Sequence, residues 1–226
     1  MKSILHFAAA IKIRPLFFAG VVICSATASI AADSIRYAAR PGSKVTIAGT
    51  STIHDWTMEG RIIGGFMELP AGIVFDDSKE TLTGGTAATI AARVETSIPV
   101  RSLKSAHEGM DEVMQQAMNE KDHPKIQYHL TEMKLRSPHA AATAFVFDTK
   151  GELVVNGITN VILWPVSITR MESDKLKLTG TIPLTMTDYK VKPPAPDLGL
   201  GFIKTGDDIT ISIEWLVVQS TLAGGQ

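Results

Sequence analysis

Cysteine is almost missing from this chain. Its 226 residues hold one thiol, Cys24, which excludes an intramolecular disulfide and any cysteine-built zinc site. Neither sign of charge is in excess. Lys and Arg number 22 against 23 Asp and Glu, so the basic surplus of a nucleic-acid binder is lacking. The composition, 45% hydrophobic and 20% charged, excludes a disordered chain, a collagen-like repeat and a polytopic membrane protein. Catalytic signatures are lacking too: no glycine-rich dinucleotide fingerprint, Walker loop, His-Glu-x-x-His or Gly-x-Ser-x-Gly occurs. His54-Asp55 and Asp122-His123 set an imidazole beside a carboxylate, but nothing in the spacing brings three metal ligands together. Ser51 near His54 lacks an orienting acid and an oxyanion hole. The expectation is therefore no catalytic residue, no metal and no cofactor.

The first residues do not read as fold. Met1 to Arg14 holds Lys2, Lys12 and Arg14 and no acid, Leu16 to Cys24 is almost wholly apolar, and small residues run from Ser25 to Ala32. This is the pattern of a secretory signal peptide, residues 1–31, cleaved after Ala28 or after Ala31. An uncleaved anchor over Pro15 to Ala32 is the rival, although its second half is small rather than greasy. Ile23 before Cys24 argues against a lipoprotein. Cleavage would remove three bases and no acid, taking the net charge from −1 to −4. It would also remove the only thiol, which suits an oxidising compartment. Residues 32–226 then form one domain without a stable membrane span, and its oligomeric state is open.

That remainder reads as alternating strands. From Lys175 to Thr187 the even positions are Leu176, Leu178, Gly180, Ile182, Leu184 and Met186, while the odd ones are mostly Lys and Thr. Ile209, Ile211, Ile213, Trp215 and Val217 share a face; Asp208, Thr210, Ser212 and Glu214 share the other. Ile90, Val94, Thr96 and Ile98 repeat the pattern, as do Ile126, Tyr128 and Leu130. Met58, Ile62 and Phe66 do so less cleanly. Period-two alternation marks a half-buried strand. Val161 to Ile168 is apolar on both faces in part, which implies cover on its outside. Asn156-Gly157 is a turn signal, and Asp148 to Gly151 and Ser173-Asp174 read as hairpin turns. Gly64-Gly65 and Gly84-Gly85 suit bulges or turns. Consecutive one-sided strands favour an antiparallel sheet. About eight of them favour closure into an up-and-down, lipocalin-like barrel, whose interior holds side chains or one small ligand.

One segment breaks the pattern. Between Ser102 and Asn119, Met110, Val113, Met114, Ala117 and Met118 recur at spacings of three and four with acids and glutamines between them. This predicts an amphipathic helix around residues 102–120, ended by His123-Pro124. It packs on the barrel wall or serves as a lid whose methionines touch a ligand.

Read in order, these segments resemble the YceI-like family. The resemblance rests on Gly49-Thr50-Ser51-Thr52-Ile53-His54-Asp55-Trp56, Glu59-Gly60 and Gly64-Gly65-Phe66, then Thr96 to Val100, the helix, and His123 to Tyr128. Lys150 to Thr159, Met186 to Tyr189 and the last strand complete it. It covers roughly residues 43–219 and implies a lipocalin-like barrel of the cell envelope, periplasmic in a Gram-negative bacterium. It also implies binding of a polyisoprenoid or another long apolar lipid within the barrel. The expected pocket lining is Trp56, Phe66, Ile90, Val94, Met110, Met114, Tyr128, Leu178, Ile182, Ile213 and Trp215, each of which could instead be plain core. The rival functions are a non-catalytic envelope scaffold with a filled core and, behind it, a hydrolase built on His54.

Export yields a direct expectation. N-terminal sequencing of the envelope form should begin near Ser29 or Ala32; an intact Met1 on that material refutes the cleaved leader.

Overall fold

The computed structural model describes residues 34–76, 81–83, 89–136, 144–172, 174–195 and 203–220. The expected leader, residues 1–31, and Gly84-Gly85 lie outside the described residues. Eight long antiparallel strands run in sequence around a closed barrel. The first three are interrupted. Strand β1 is Ser34–Ala39 continued by Lys44–Ser51, and β2 is Trp56–Gly60 continued by Gly64–Pro70. Strand β3 is Arg93–Pro99, carried past a 3₁₀ turn at Val100–Ser102 by Leu103–Lys104. The others are unbroken: β4 (Lys125–Leu135), β5 (Phe145–Val155), β6 (Ile158–Met171), β7 (Lys175–Thr185) and β8 (Thr205–Ser220). Each pairs with the next, and β8 returns to β1 through Arg36↔Ser220 at one end and Ile47↔Ile211 at the other. Among the described residues one α-helix, α1 (Glu108–Ala117), links β3 to β4 at the end where β1 turns into β2.

The alternation places the core. On β7, Leu176, Leu178 and Ile182 are buried, while Lys175, Thr181 and Pro183 are exposed. Trp215 and Val217 on β8 are buried as well. At the end opposite α1, Phe75 meets Phe145 edge-on with centroids 5.4 Å apart, and Phe147 at 6.5 Å. Asn156 and Gly157 turn β5 into β6 with φ of 51° and 72°, the doubly left-handed pair that matches strand twist in a two-residue hairpin. Asp174 also sits at φ 54° between β6 and β7; Ser173 lies outside the described residues.

Four expectations are corrected. Asp148 to Gly151 is not a turn but the middle of β5. Asp148 points out to Arg136, and Thr149 points in and donates to the Trp164 carbonyl at 2.8 Å. Gly151 leaves room for Tyr128, whose ring a β-carbon there would meet at 2.5 Å. Three unrelated side-chain demands therefore imitated turn composition. The helix is shorter than expected, because Ser102 closes a 3₁₀ turn, Leu103–Lys104 extends β3, and Asn119 ends the helical run in the left-handed region at φ 51°, before Pro124 is reached. The outside of β6 is not covered by described residues: Val161 is 58% exposed and Leu163 73%. Finally, β2 changes parity at Arg61–Ile63, so that Met58, Ile63, Met67 and Leu69 are buried while Ile62 is exposed. Gly65 at that break has φ 127°, and a β-carbon would lie 2.0 Å from the Glu95 carbonyl oxygen, so only glycine fits.

The wall can be tested one residue at a time, because neighbouring positions point to opposite faces. Ile182→Lys, a lone charge in an apolar interior, should cost at least about 3 kcal/mol, whereas Thr181→Lys should stay within about 1 kcal/mol. Chemical denaturation of both variants checks the assignment.

Candidate binding site

The barrel interior holds two cavities. The lower one, about 100 Å³, is lined by residues of the inward faces, among them Val94, Tyr128, Trp164, Leu178, Ile182 and Trp215. The upper one, about 420 Å³, lies at the end beneath α1. Its lining includes Trp56, Met58, Met110, Met114, Tyr189 and Ile209. Ile47, Ile126 and Ile211 line both, so the two spaces adjoin at this ring. Together they make an apolar tract along the inside of the barrel from beneath α1.

Most of the expected lining residues face this tract. Val94, Tyr128, Leu178, Ile182, Ile213 and Trp215 border the lower cavity; Trp56, Met110 and Met114 border the upper one. Phe66 does not. The parity change in β2 turns it outward, where the Arg36 guanidinium stacks on its ring at 3.6 Å and Arg93 lies at 5.0 Å. Ile90 is buried but lines neither cavity; its amide donates to the Met133 carbonyl at 2.8 Å. Sequence reasoning missed Trp164 and Tyr189. Trp164 sits in the run of β6 that is apolar on both faces, where alternation does not reveal which side chains point in. Tyr189 lies in the 3₁₀ turn Met186–Tyr189 after β7, beyond any strand period.

Few polar groups enter the tract. The Tyr128 hydroxyl and the indole N–H groups of Trp164 and Trp215 are buried without a hydrogen-bond partner, and so is the Tyr189 hydroxyl at the mouth. Burial pushes the pKa of Tyr128 up, and the nearby Trp164 indole and Thr149 hydroxyl only partly offset this. Burial also pushes Tyr189 up. The histidine and serine at the β1–β2 turn serve the backbone. The Ser51 hydroxyl donates to the His54 carbonyl at 2.7 Å and accepts from the amides of Ile53 and His54. His54 Nδ1 lies 2.7 Å from the Asp55 carbonyl. His123 packs against the β5–β6 turn, where a β-carbon on Gly157 would meet its ring at 2.5 Å. Among the described residues no group of three His, Cys, Asp or Glu could hold a metal ion, and no helix is long and apolar enough to cross a membrane.

The helix over the mouth is tied down by one carboxylate. Asp111 is buried, with Oδ1 accepting from the Ser105 amide at 2.6 Å and the Ser105 hydroxyl at 2.8 Å. Its Oδ2 lies 3.3 Å from Lys104 Nζ. Its place in the first turn also suits the helix dipole. Desolvation pushes its pKa up, but the Ser105 hydrogen bonds and Lys104 outweigh this and hold it below the ordinary carboxylate value. With that anchor made, Met110, Val113, Met114, Ala117 and Met118 all border the upper cavity.

Comparisons with known proteins agree on the fold. The family described as YceI-like domain matches residues 37–216. A polyisoprenoid binding domain from Saccharophagus degradans, implicated in plant cell wall breakdown, superposes with a TM-score of 0.59 at 10% identity. That match covers 82% of this chain and 98% of the other. BcnA of Burkholderia cenocepacia superposes with a TM-score of 0.55 at 13% identity, over 77% of this chain and 95% of its own. At such identities the likeness is one of fold. No curated protein matches the chain.

The Asp111 anchor carries a pH signature. A folded-state pKa below the unfolded value of about 3.9 contributes stability that is present above that value and lost as pH falls through the folded one. Asp111→Asn should lower stability at pH 7 by about 1–3 kcal/mol, and the gap to the wild type should begin to narrow as pH falls below about 4. Denaturant titrations across pH test this; a gap that is independent of pH assigns the loss to packing alone.

Proposed function

We propose that this chain, which belongs to the YceI-like family, is a non-catalytic binding protein that holds an isoprenoid or similar long apolar lipid in its barrel. The observation that carries the reading is the apolar tract itself, a lower cavity of about 100 Å³ adjoining a mouth cavity of about 420 Å³. Binding a long alkyl chain needs little more than burial of apolar area at about 25 cal/mol per Å², together with a few placed polar groups. The Saccharophagus degradans protein, a polyisoprenoid binding domain by description, supports the same ligand class. The basic, apolar and small-residue segments of residues 1–31 support export to the periplasm with the leader removed.

In this reading α1 is a lid. Its methionines Met110 and Met114, with Met118 at its C-cap, bend to fit a ligand of irregular shape, as an unbranched thioether chain does. The second reading, an envelope scaffold with a filled core, draws support from the tight lower barrel, where Phe147, Ile168 and Val217 have no exposed surface.

Stripped protein separates the two readings. A lipid carrier should take up a fluorescent polyisoprenoid, and an organic extract of the native protein should yield a long apolar lipid by mass spectrometry. The triple change of Met110, Met114 and Met118 to Ser should weaken uptake more than it lowers the melting temperature. A large loss of melting temperature with unchanged affinity refutes the lid. Ile182→Phe should reduce affinity while leaving the stripped protein about as stable; a loss of ~1–3 kcal/mol marks a solid core and refutes the carrier.

A further inference from the structure

The barrel wall is not laddered along the full height of every seam. The rungs between β6 and β7 run from Met171↔Lys175 to Val166↔Gly180 and stop there, although β6 reaches back to Ile158 and β7 on to Thr185. Both strands keep their other neighbour over this stretch: β6 stays paired with β5, and β7 with β8. Toward the mouth a side chain crosses the seam again, the Asn160 amide donating to the Asp188 carbonyl at 2.8 Å. Between that tie and the last rung lies a window, bordered by residues 161–165 on one side and 181–185 on the other. At about 3.3 Å per residue it is about 16 Å tall.

The lips of this window are apolar on the inside and uncharged on the outside. Ile162, Trp164 and Ile182 border the lower cavity. Val161 and Leu163 point out, 58% and 73% exposed, and Pro165, Thr181 and Pro183 are exposed with them. Of the five large apolar side chains exposed among the described residues, three lie on β6. The strand is thus greasy on both faces where its seam opens.

A strand from another protein would pair through backbone amides, but Pro165 and Pro183, one on each lip, have none to give. Proline at a strand edge is a device against strand addition. A second copy would have to bury about 800 Å² per partner. Two exposed side chains supply a small part of that, and Lys150 and Glu152 stand opposite them on β5, exposed and charged. A lipid surface needs neither rungs nor a matched partner, only uncharged apolar side chains that gain by leaving water.

We propose that this face of β6 docks on a lipid bilayer, and that the window beside it is the way by which a lipid chain passes sideways between the bilayer and the barrel interior. The proposal rests on the lipid-binding reading and adds to it the source of the lipid and a route that does not cross α1.

The test compares two deliveries of one fluorescent polyisoprenoid to delipidated protein: from phosphatidylcholine vesicles and from cyclodextrin in solution. Val161→Glu combined with Leu163→Glu changes only exposed positions, so the fold and the affinity measured from cyclodextrin should stay as in the wild type. Loading from vesicles should slow at least about tenfold, because the carboxylates must leave water to meet the acyl region. Wild-type loading should hold when a quarter of the lipid is phosphatidylglycerol and in high salt, since the lips carry no charge to be screened. A second readout locates the contact. With Cys24, the chain's one cysteine, changed to Ser, an environment-sensitive dye on Leu163→Cys should shift to the blue on vesicles. The same dye on Lys134→Cys, exposed on β4, should not. Vesicle loading as fast in the double variant as in the wild type overturns the proposal while the lipid-binding reading stands. So does slowing to the same degree from cyclodextrin, or loading that high salt abolishes. A sedimentation mass that is dimeric in the wild type and monomeric in the double variant gives the face to a second copy and overturns it too. If the probe binds from neither source, the lipid-binding reading fails and the proposal fails with it.

Discussion

The pairing of the first strand with the last is the contact on which everything else depends. An open eight-stranded sheet would have two free edges and no enclosed interior; β1 joined to β8 has neither defect. The join survives an interruption. Where β1 breaks between Ala39 and Lys44, the Leu216 carbonyl accepts from the Arg40 amide at 2.9 Å. The Leu216 amide donates to the buried Ser43 hydroxyl at 3.0 Å, and that hydroxyl in turn donates to the Arg40 carbonyl. One serine thus replaces a missing rung. Closure then gives period-two alternation its meaning, since every inward side chain meets the others in one space.

That space is graded. At the floor, Phe75, Phe145 and Phe147 pack edge to face. In the middle, aromatic residues narrow the tract to a small cavity. Toward the mouth the lining changes to isoleucines and methionines and the cavity widens. The helix is set over the wide end by Asp111, an anchor outside the apolar tract, which leaves the methionine face to the cavity.

Strand identity was legible wherever alternation ran unbroken. On β7 from Leu176 to Leu184 and on β8 from Ile209 to Val217 the apolar residues face the side that their parity implies, because a strand with one wet face tolerates no slip. Parity failed at interruptions. A bulge in β4 across from Lys150 and Gly151 brings Leu130 inward and then Met133, and the break at Arg61–Ile63 turns Phe66 out of the barrel. Turn composition misled at Asp148 to Gly151, where an outward ion pair, an inward hydroxyl and a steric gap fell side by side in one strand.

The sequence by itself determined an antiparallel β architecture, one amphipathic helix and the apolar character of the interior, since periodicity and polarity are properties of neighbours along the chain. Only the tertiary structure decided which strand breaks change parity, which aromatic residue crosses to the outside, and that Tyr128, Trp164 and Trp215 meet in one cavity. Those facts depend on contacts between strands distant in the chain, as where β4, β6 and β8 each contribute one donor. No local pattern records which partners closure will bring together.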